Sequence, residues 1–331
     1  MACNMFISTH EEMNPSHRST MEDCHVYYKS NELDFGNSVD MQLLGVYDGH
    51  GGREIVDFLE KNLGKNIAQE VKYNDASSIG EKLERAFIIT DVESRMDGIL
   101  YSGATVVVCL IQRHHDGDDC DYSDGSTISN NDRTKSKRNF GKGFRSYTIY
   151  TANCGDARAV LSTKAKVDES RKKSKSTSPS DQLSISSLDH RNDNVVRLST
   201  DDRADNPSEK ERIESSGGQV IRNRVLGVLA VSRSLGDHQF KEFVIGRPHT
   251  HEIRVDVEEE NDTFLILACD GLWDVFQDEE AVDLVKQHTS DLSVLGDKLD
   301  DRKKETVAKV LVDEAIKRGS TDNITCVVAW L

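Results

Sequence analysis

Six short stretches of this chain are dense in apolar and β-branched residues: 41–47, 104–111, 147–152, 157–161, 263–269 and 324–331. Each is bounded by Gly, Asp or Asn, which is the pattern of buried β-strands. Elsewhere the apolar positions recur every three or four residues. Residues 52–64 carry Ile55, Phe58, Leu59 and Leu63 on one face and predict an amphipathic helix, with Gly64 as its C-terminal stop. Similar stripes predict helices over 79–96, 279–288 and 305–318. Asn206-Pro207-Ser208-Glu209 reads as a helix start, with Asn as N-cap, Pro in the first position and Glu in the third. No internal repeat is present, and strands and helices mix without strict βαβ order. An α+β layered sandwich is therefore expected in preference to a doubly wound sheet.

Two segments break the pattern. Residues 114–145 pass from an Asp/Gly/Ser-rich acidic half to a basic half, and residues 163–197 are rich in Ser, Lys and Arg. Neither has apolar periodicity, so both read as solvated or disordered insertions. One domain over 1–331 with two such insertions is simpler than two domains.

Composition then narrows the classes. Hydrophobic residues make up only 36% of 331, a deficit that the insertions absorb. The net charge of −16 excludes a general nucleic-acid binder and a protein drawn to anionic membranes. It suits either solubility or carboxylates gathered around cations. Seven scattered cysteines without a C-x-x-C pair, several inside apolar runs, point to a reducing compartment. The acidic start, with Glu11 and Glu12 and no basic residue before them, resembles neither a secretory signal nor a transit peptide. A cytoplasmic protein is expected, with the nucleus left open.

Candidate chemistry lies at the ends of the strands. The run 41–47 is followed by Asp48-Gly49-His50, and 263–269 by Asp270-Gly271 with Asp274 beyond. The run 147–152 leads to Asp156, and 324–331 is preceded by Asp322. Arg18 stands shortly before Glu22 and Asp23. Any one Asp-Gly is ordinary turn chemistry, as at Asp97, Asp116 and Asp124. Co-occurrence at successive strand ends is not. Antiparallel strands could deliver Asp48, Asp156, Asp270 and Asp322 to one rim, where carboxylates cannot all stay ionised without cations between them. Hard divalent ions with oxygen ligands are the natural partners, and glycine after Asp48 and Asp270 would allow close approach.

Seven motifs, in order, resemble the metal-dependent protein phosphatases of the type 2C class. They are R-S-T-M-E-D at 18–23, V-Y-D-G-H-G-G at 46–52, S-G-A-T at 102–105, N-C-G-D-A-R at 153–158, L-A-V-S-R-S-L-G-D at 229–237, A-C-D-G-L-W-D-V at 268–275 and D-N-I-T at 322–325. The resemblance implies a four-layer α-β-β-α sandwich of two antiparallel sheets flanked by helices, with a metal site at one end of the sheet pair. It implies hydrolysis of phosphoserine and phosphothreonine in proteins by a water activated between two Mg2+ or Mn2+ ions, without a phospho-enzyme. Asp48 would bridge the ions, Gly49 would offer its carbonyl, and Asp270 and Asp322 would be further ligands. Glu22, Asp23 and Asp274 would act through waters, and Asp156 with Asp270 would hold a weaker third ion. Arg18 would clamp the phosphate and His50 would be the general acid.

Phosphoprotein substrates, a role in kinase signalling with protein kinases as partners, and a monomer are implied as well. Where the family often reads D-H-K-P, this chain has Asp201-Asp202-Arg203-Ala204, a departure expected to bear on substrate preference more than on catalysis. The aromatic residue common before the clamp arginine is His17. The alternative, a non-catalytic binding module on the same fold, would be expected to lack several carboxylates or the arginine. Arg18, Asp48, Asp270 and Asp322 are all present.

Overall fold

The computed structural model describes residues 5–36, 40–114, 144–164, 194–258, 263–290 and 297–331. Two antiparallel sheets form its centre. One has the order β1 (Phe6–Glu12), β13 (Ile324–Trp330), β12 (Phe264–Ala268), β6 (Arg158–Thr163), β7 (Asn194–Arg197). The other runs β11 (His249–Glu258), β5 (Phe144–Cys154), β4 (Gly103–His114), β3 (Met41–His50), β2 (Cys24–Tyr28), with the short β10 (Leu235–Gly236) added beside β4.

The layering follows from the two-residue period of the strands. On β4, Val106, Val108 and Leu110 face outward onto helices α1 (Glu54–Lys72) and α2 (Ile79–Met96), where Leu59, Leu63, Leu83 and Phe87 meet them. The alternate residues Val107, Cys109 and Ile111 face inward and pack with Leu265, Leu267, Val327 and Ala329 of the second sheet. That sheet turns Phe264, Ile266, Val328 and Trp330 outward. They meet Leu272 of α4 (Asp270–Trp273), Val282 of α5 (Asp278–Ser290) and Leu311 of α6 (Asp297–Lys317). Helices, sheet, sheet and helices make the expected four-layer α-β-β-α sandwich. Among the described residues no helix is long and apolar enough to cross a membrane.

Several expectations need correction. The first helix does not stop at Gly64 but continues to Lys72. Gly64 instead lets the helix lie on a tyrosine, because a Cβ there would be 2.8 Å from Tyr28 Cε2. Residues 194–197, assigned to the second insertion, form β7, in which Val196 is buried opposite Leu161. His114 and Arg145, assigned to the first, are strand ends in β4 and β5. The remaining interiors of the two predicted insertions lie outside the described residues. In the two large sheets, β1, β2, β7, β10 and β11 are additional to the six expected runs.

A smaller lobe follows β7. It holds α3 (Pro207–Ser215), the two-stranded hairpin β8 (Val220–Ile221) and β9 (Arg224–Val225), and its own core of Ala204, Ile213, Val225 and Val244. Asn206 caps α3, its side chain accepting from the Ser208 amide at 3.1 Å. Glu209 does not reach back to the cap. It accepts from Arg233 Nη2 at 2.6 Å and Arg212 Nη2 at 2.8 Å, and these cations drive its pKa down to about 2 despite burial.

Candidate metal centre

The strand-end carboxylates gather at one end of the sandwich, on a rim built from both sheets. Asp48 sits near the end of β3, opposite Thr105 of β4. Asp156 lies on the turn that carries the chain from β5 in one sheet to β6 in the other. Asp270 follows β12, and Asp322 precedes β13. Carboxylate oxygens of Asp48, Asp156 and Asp270 lie within 4.8 Å of one another.

Burial and mutual repulsion disfavour the ionised form of these groups. Burial raises Asp48 well above the usual carboxylate range, and Asp270, Asp23, Asp156 and Asp322 add to the shift. Asp156 is raised to about 7, mainly by burial, with Arg203 pulling the other way. Asp270 is raised to about 8 by burial, with Asp156, Asp274 and Asp322 adding. Asp23 is 1% exposed and raised to about 7 by burial, with Asp270 and Asp322 adding. Its Oδ2 has no hydrogen-bond partner.

The other expected residues stand around this group. Asp322 pairs with Arg18, whose Nη2 donates to its Oδ2, and accepts from the Asn323 amide at 2.7 Å. Glu22 accepts from the Gly52 amide at 3.2 Å and from the Thr20 hydroxyl at 3.0 Å. Asp274 is exposed and accepts from Arg203 at 2.9 Å. Thus Asp48, Asp156 and Asp270 form the inner group, Asp23 and Asp322 add to its field, and Glu22 and Asp274 lie at its margins.

The glycines after the two aspartates also answer to packing. A Cβ on Gly49 would collide with the Glu22 carbonyl oxygen and Val56, and one on Gly271 with the Asn323 carbonyl oxygen. They bring neighbouring backbone segments together beneath the carboxylates.

Three sets of contacts around the group were not foreseen. His50 Nε2 lies 2.8 Å from Oδ2 of Asp237, which is 2% exposed and also accepts from Ser234 Oγ at 2.5 Å. Asp237 was visible only as the last letter of a motif; 187 residues separate it from His50. Asn323 joins the N-terminal and C-terminal parts of the site. It accepts from the Glu22 amide at 2.9 Å and donates to the Met13 and Thr20 carbonyls at 2.9 and 3.0 Å. Asp202 is fully buried beneath the Asp156 turn and accepts from the Gly155 amide at 3.1 Å. The Asp202 carboxylate thus braces the turn that carries Asp156. A second acidic group, Asp202, Glu209 and His249, is close enough to hold an ion. Its charge is already met by Arg233 and Arg212, so it reads as a structural ion-pair network.

A two-sheet sandwich with an oxygen-only cluster of carboxylates at one end offers a ligand set for hard divalent cations. The family model described as Protein phosphatase 2C matches residues 9–324. Protein phosphatase 2C homolog 1 of Saccharomyces cerevisiae is 32% identical over 321 residues, 97% of this chain and 92% of that protein. Its namesake in Schizosaccharomyces pombe is 31% identical over 330 residues, 100% of this chain and 74% of that protein. The chain belongs to the protein phosphatase 2C family and is a protein-serine/threonine phosphatase. Solved structures agree in fold. A Caenorhabditis elegans sex-determining protein matches with TM-score 0.67 and 21% identity, over 99% of this chain and 65% of that one. A Toxoplasma gondii phosphatase matches with TM-score 0.65 and 20% identity, over 98% and 92%.

Proposed function

We propose that the chain hydrolyses phosphoserine and phosphothreonine in proteins using two Mg2+ or Mn2+ ions held at Asp48, Gly49, Asp270 and Asp322, with a weaker third at Asp156 and Asp270. The observation that carries this is the close group of Asp48, Asp156 and Asp270. The residues fit hard divalent cations: every side-chain donor is an oxygen, and the buried Asp23 Oδ2 beside them lacks a partner. Such ions, when bound, lower the pKa of a water towards neutrality and so supply the nucleophile.

The chain's own groups do the rest. Arg18, half-exposed and paired with Asp322, offers a planar fork to the phosphoryl oxygens. Asp237 fixes the His50 ring through Nε2, which leaves Nδ1 to deliver a proton to the departing Ser or Thr oxygen. Glu22 and Asp274 at the margins orient solvent. The same proposal takes in a monomer that acts on phosphoproteins in kinase signalling, in the cytoplasm or nucleus. Free, buried thiols at Cys24, Cys109, Cys154, Cys269 and Cys326 suit a reducing compartment.

Phosphate release from a phosphothreonine peptide is expected to require Mn2+ or Mg2+ and to stop with EDTA. A folded sample inactive in millimolar metal would instead favour a binding module. His50→Gln is expected to slow phosphopeptide hydrolysis by about 10²–10⁴-fold. It should slow p-nitrophenyl phosphate far less, since that leaving group needs little protonation. Equal losses on the two substrates would remove the general-acid role.

A further inference from the structure

The smaller lobe brings a cation of its own to the carboxylate cluster. Arg203 Nη1 lies 2.9 Å from Asp274 Oδ1 and 3.5 Å from Asp156 Oδ2. A guanidinium cannot discharge itself by losing a proton, so it stands there as a permanent charge. Its influence extends past its direct partners, since it opposes the upward shift of Asp270 as well as that of Asp156.

The backbone holds Arg203 in this position from both sides. Before it, the Asp202 amide donates to the Gly155 carbonyl at 3.0 Å, and the Gly155 amide returns a bond to Asp202 Oδ2 at 3.1 Å. After it, the Ala204 amide donates to the Ala230 carbonyl at 2.7 Å. Arg203 itself bridges to Val231. The turn that presents Asp156 and the segment that presents Arg203 are thus one bonded unit. The side chain is 38% exposed, so this arrangement adds little to stability as an ion pair. Its effect falls on whatever else could bind Asp156.

We propose that Arg203 is a tethered counter-cation, occupying the Asp156–Asp274 side of the centre in place of a divalent ion and so setting how weakly an ion binds there. Arg203 and the ion are alternatives for the same oxygens, because two positive charges at that distance repel. This rests on the reading of Asp48, Asp156 and Asp270 as cation ligands.

The test is Mn2+ binding to the full chain without substrate, following free Mn2+ by electron paramagnetic resonance to obtain ions bound per chain and their dissociation constants. Arg203→Gln is expected to bind the weakest ion about tenfold tighter or more, because a positive charge leaves its ligands. Arg203→Lys keeps the charge and is expected to stay near the wild type, which separates loss of charge from loss of packing. Arg203→Met keeps the aliphatic stem and repeats the test if the glutamine folds poorly. Tight ions bound normally, with the weakest constant unchanged in both neutral variants, would overturn the proposal for Arg203 alone. No Mn2+ bound by the wild type would overturn the metal-centre reading and this proposal with it.

Discussion

Asp270→Asn is expected to lower metal-dependent phosphopeptide hydrolysis by about 10³-fold or more, a loss of several kcal/mol of transition-state stabilisation. The same variant should be more thermally stable than the wild type in EDTA. Asp270 is driven up to about 8 by burial and by Asp156, Asp274 and Asp322, so near neutral pH the metal-free fold must take up a proton there that the unfolded chain has released. A neutral amide of the same shape removes that requirement and a cation ligand together. The two effects have opposite signs, which separates loss of the centre from loss of folding. Near-normal hydrolysis by Asp270→Asn would take Asp270 out of the centre.

The second large effect is in pH. In EDTA, the melting temperature is expected to fall by roughly 5–10 °C between pH 5.5 and pH 8. Asp23 and Asp156 are raised to about 7 and Asp270 to about 8, all from an ordinary value of 3.8. Between those values the folded chain holds protons that the unfolded chain has released. Raising the pH strips them, and the stability they represent is lost through pH 7–8. Millimolar Mn2+ should restore the melting temperature, and by more at pH 8 than at pH 5.5, because cations replace protons in the cluster and bind only the folded state. A melting temperature insensitive to both pH and Mn2+ would remove these carboxylates from cation binding.

The fold was legible where a strand is buried on both faces. The runs within β3, β4, β12 and β13 are continuous apolar sequence because each lies between two cores. The missed strands are edge strands, or lie close to an edge, and carry polar residues. In β11, Ile253, Val255 and Val257 are buried while Glu252 and Arg254 are exposed, so charge dilutes the apolar signal by half. The carboxylate cluster was legible for the same reason as the core: Asp48 lies within β3, and Asp270 and Asp322 stand within two residues of β12 and β13. Asp237 and Arg203 reach it from a lobe with little regular structure. No spacing rule along the chain links them to His50 or Asp156.

The in-register pairing of β1 with β13, Phe6 opposite Trp330 and Glu12 opposite Ile324, bears on when the enzyme can exist during synthesis. Arg18 and Glu22 are made early, and Asp322 and Asn323, to which they bond, follow 304 and 301 residues later. Contacts at such separation close late in folding. A nascent chain therefore contains every layer of the helical and sheet scaffold up to α6 before it contains a complete centre. On the proposed reading the centre is complete only once β13 has paired between β1 and β12.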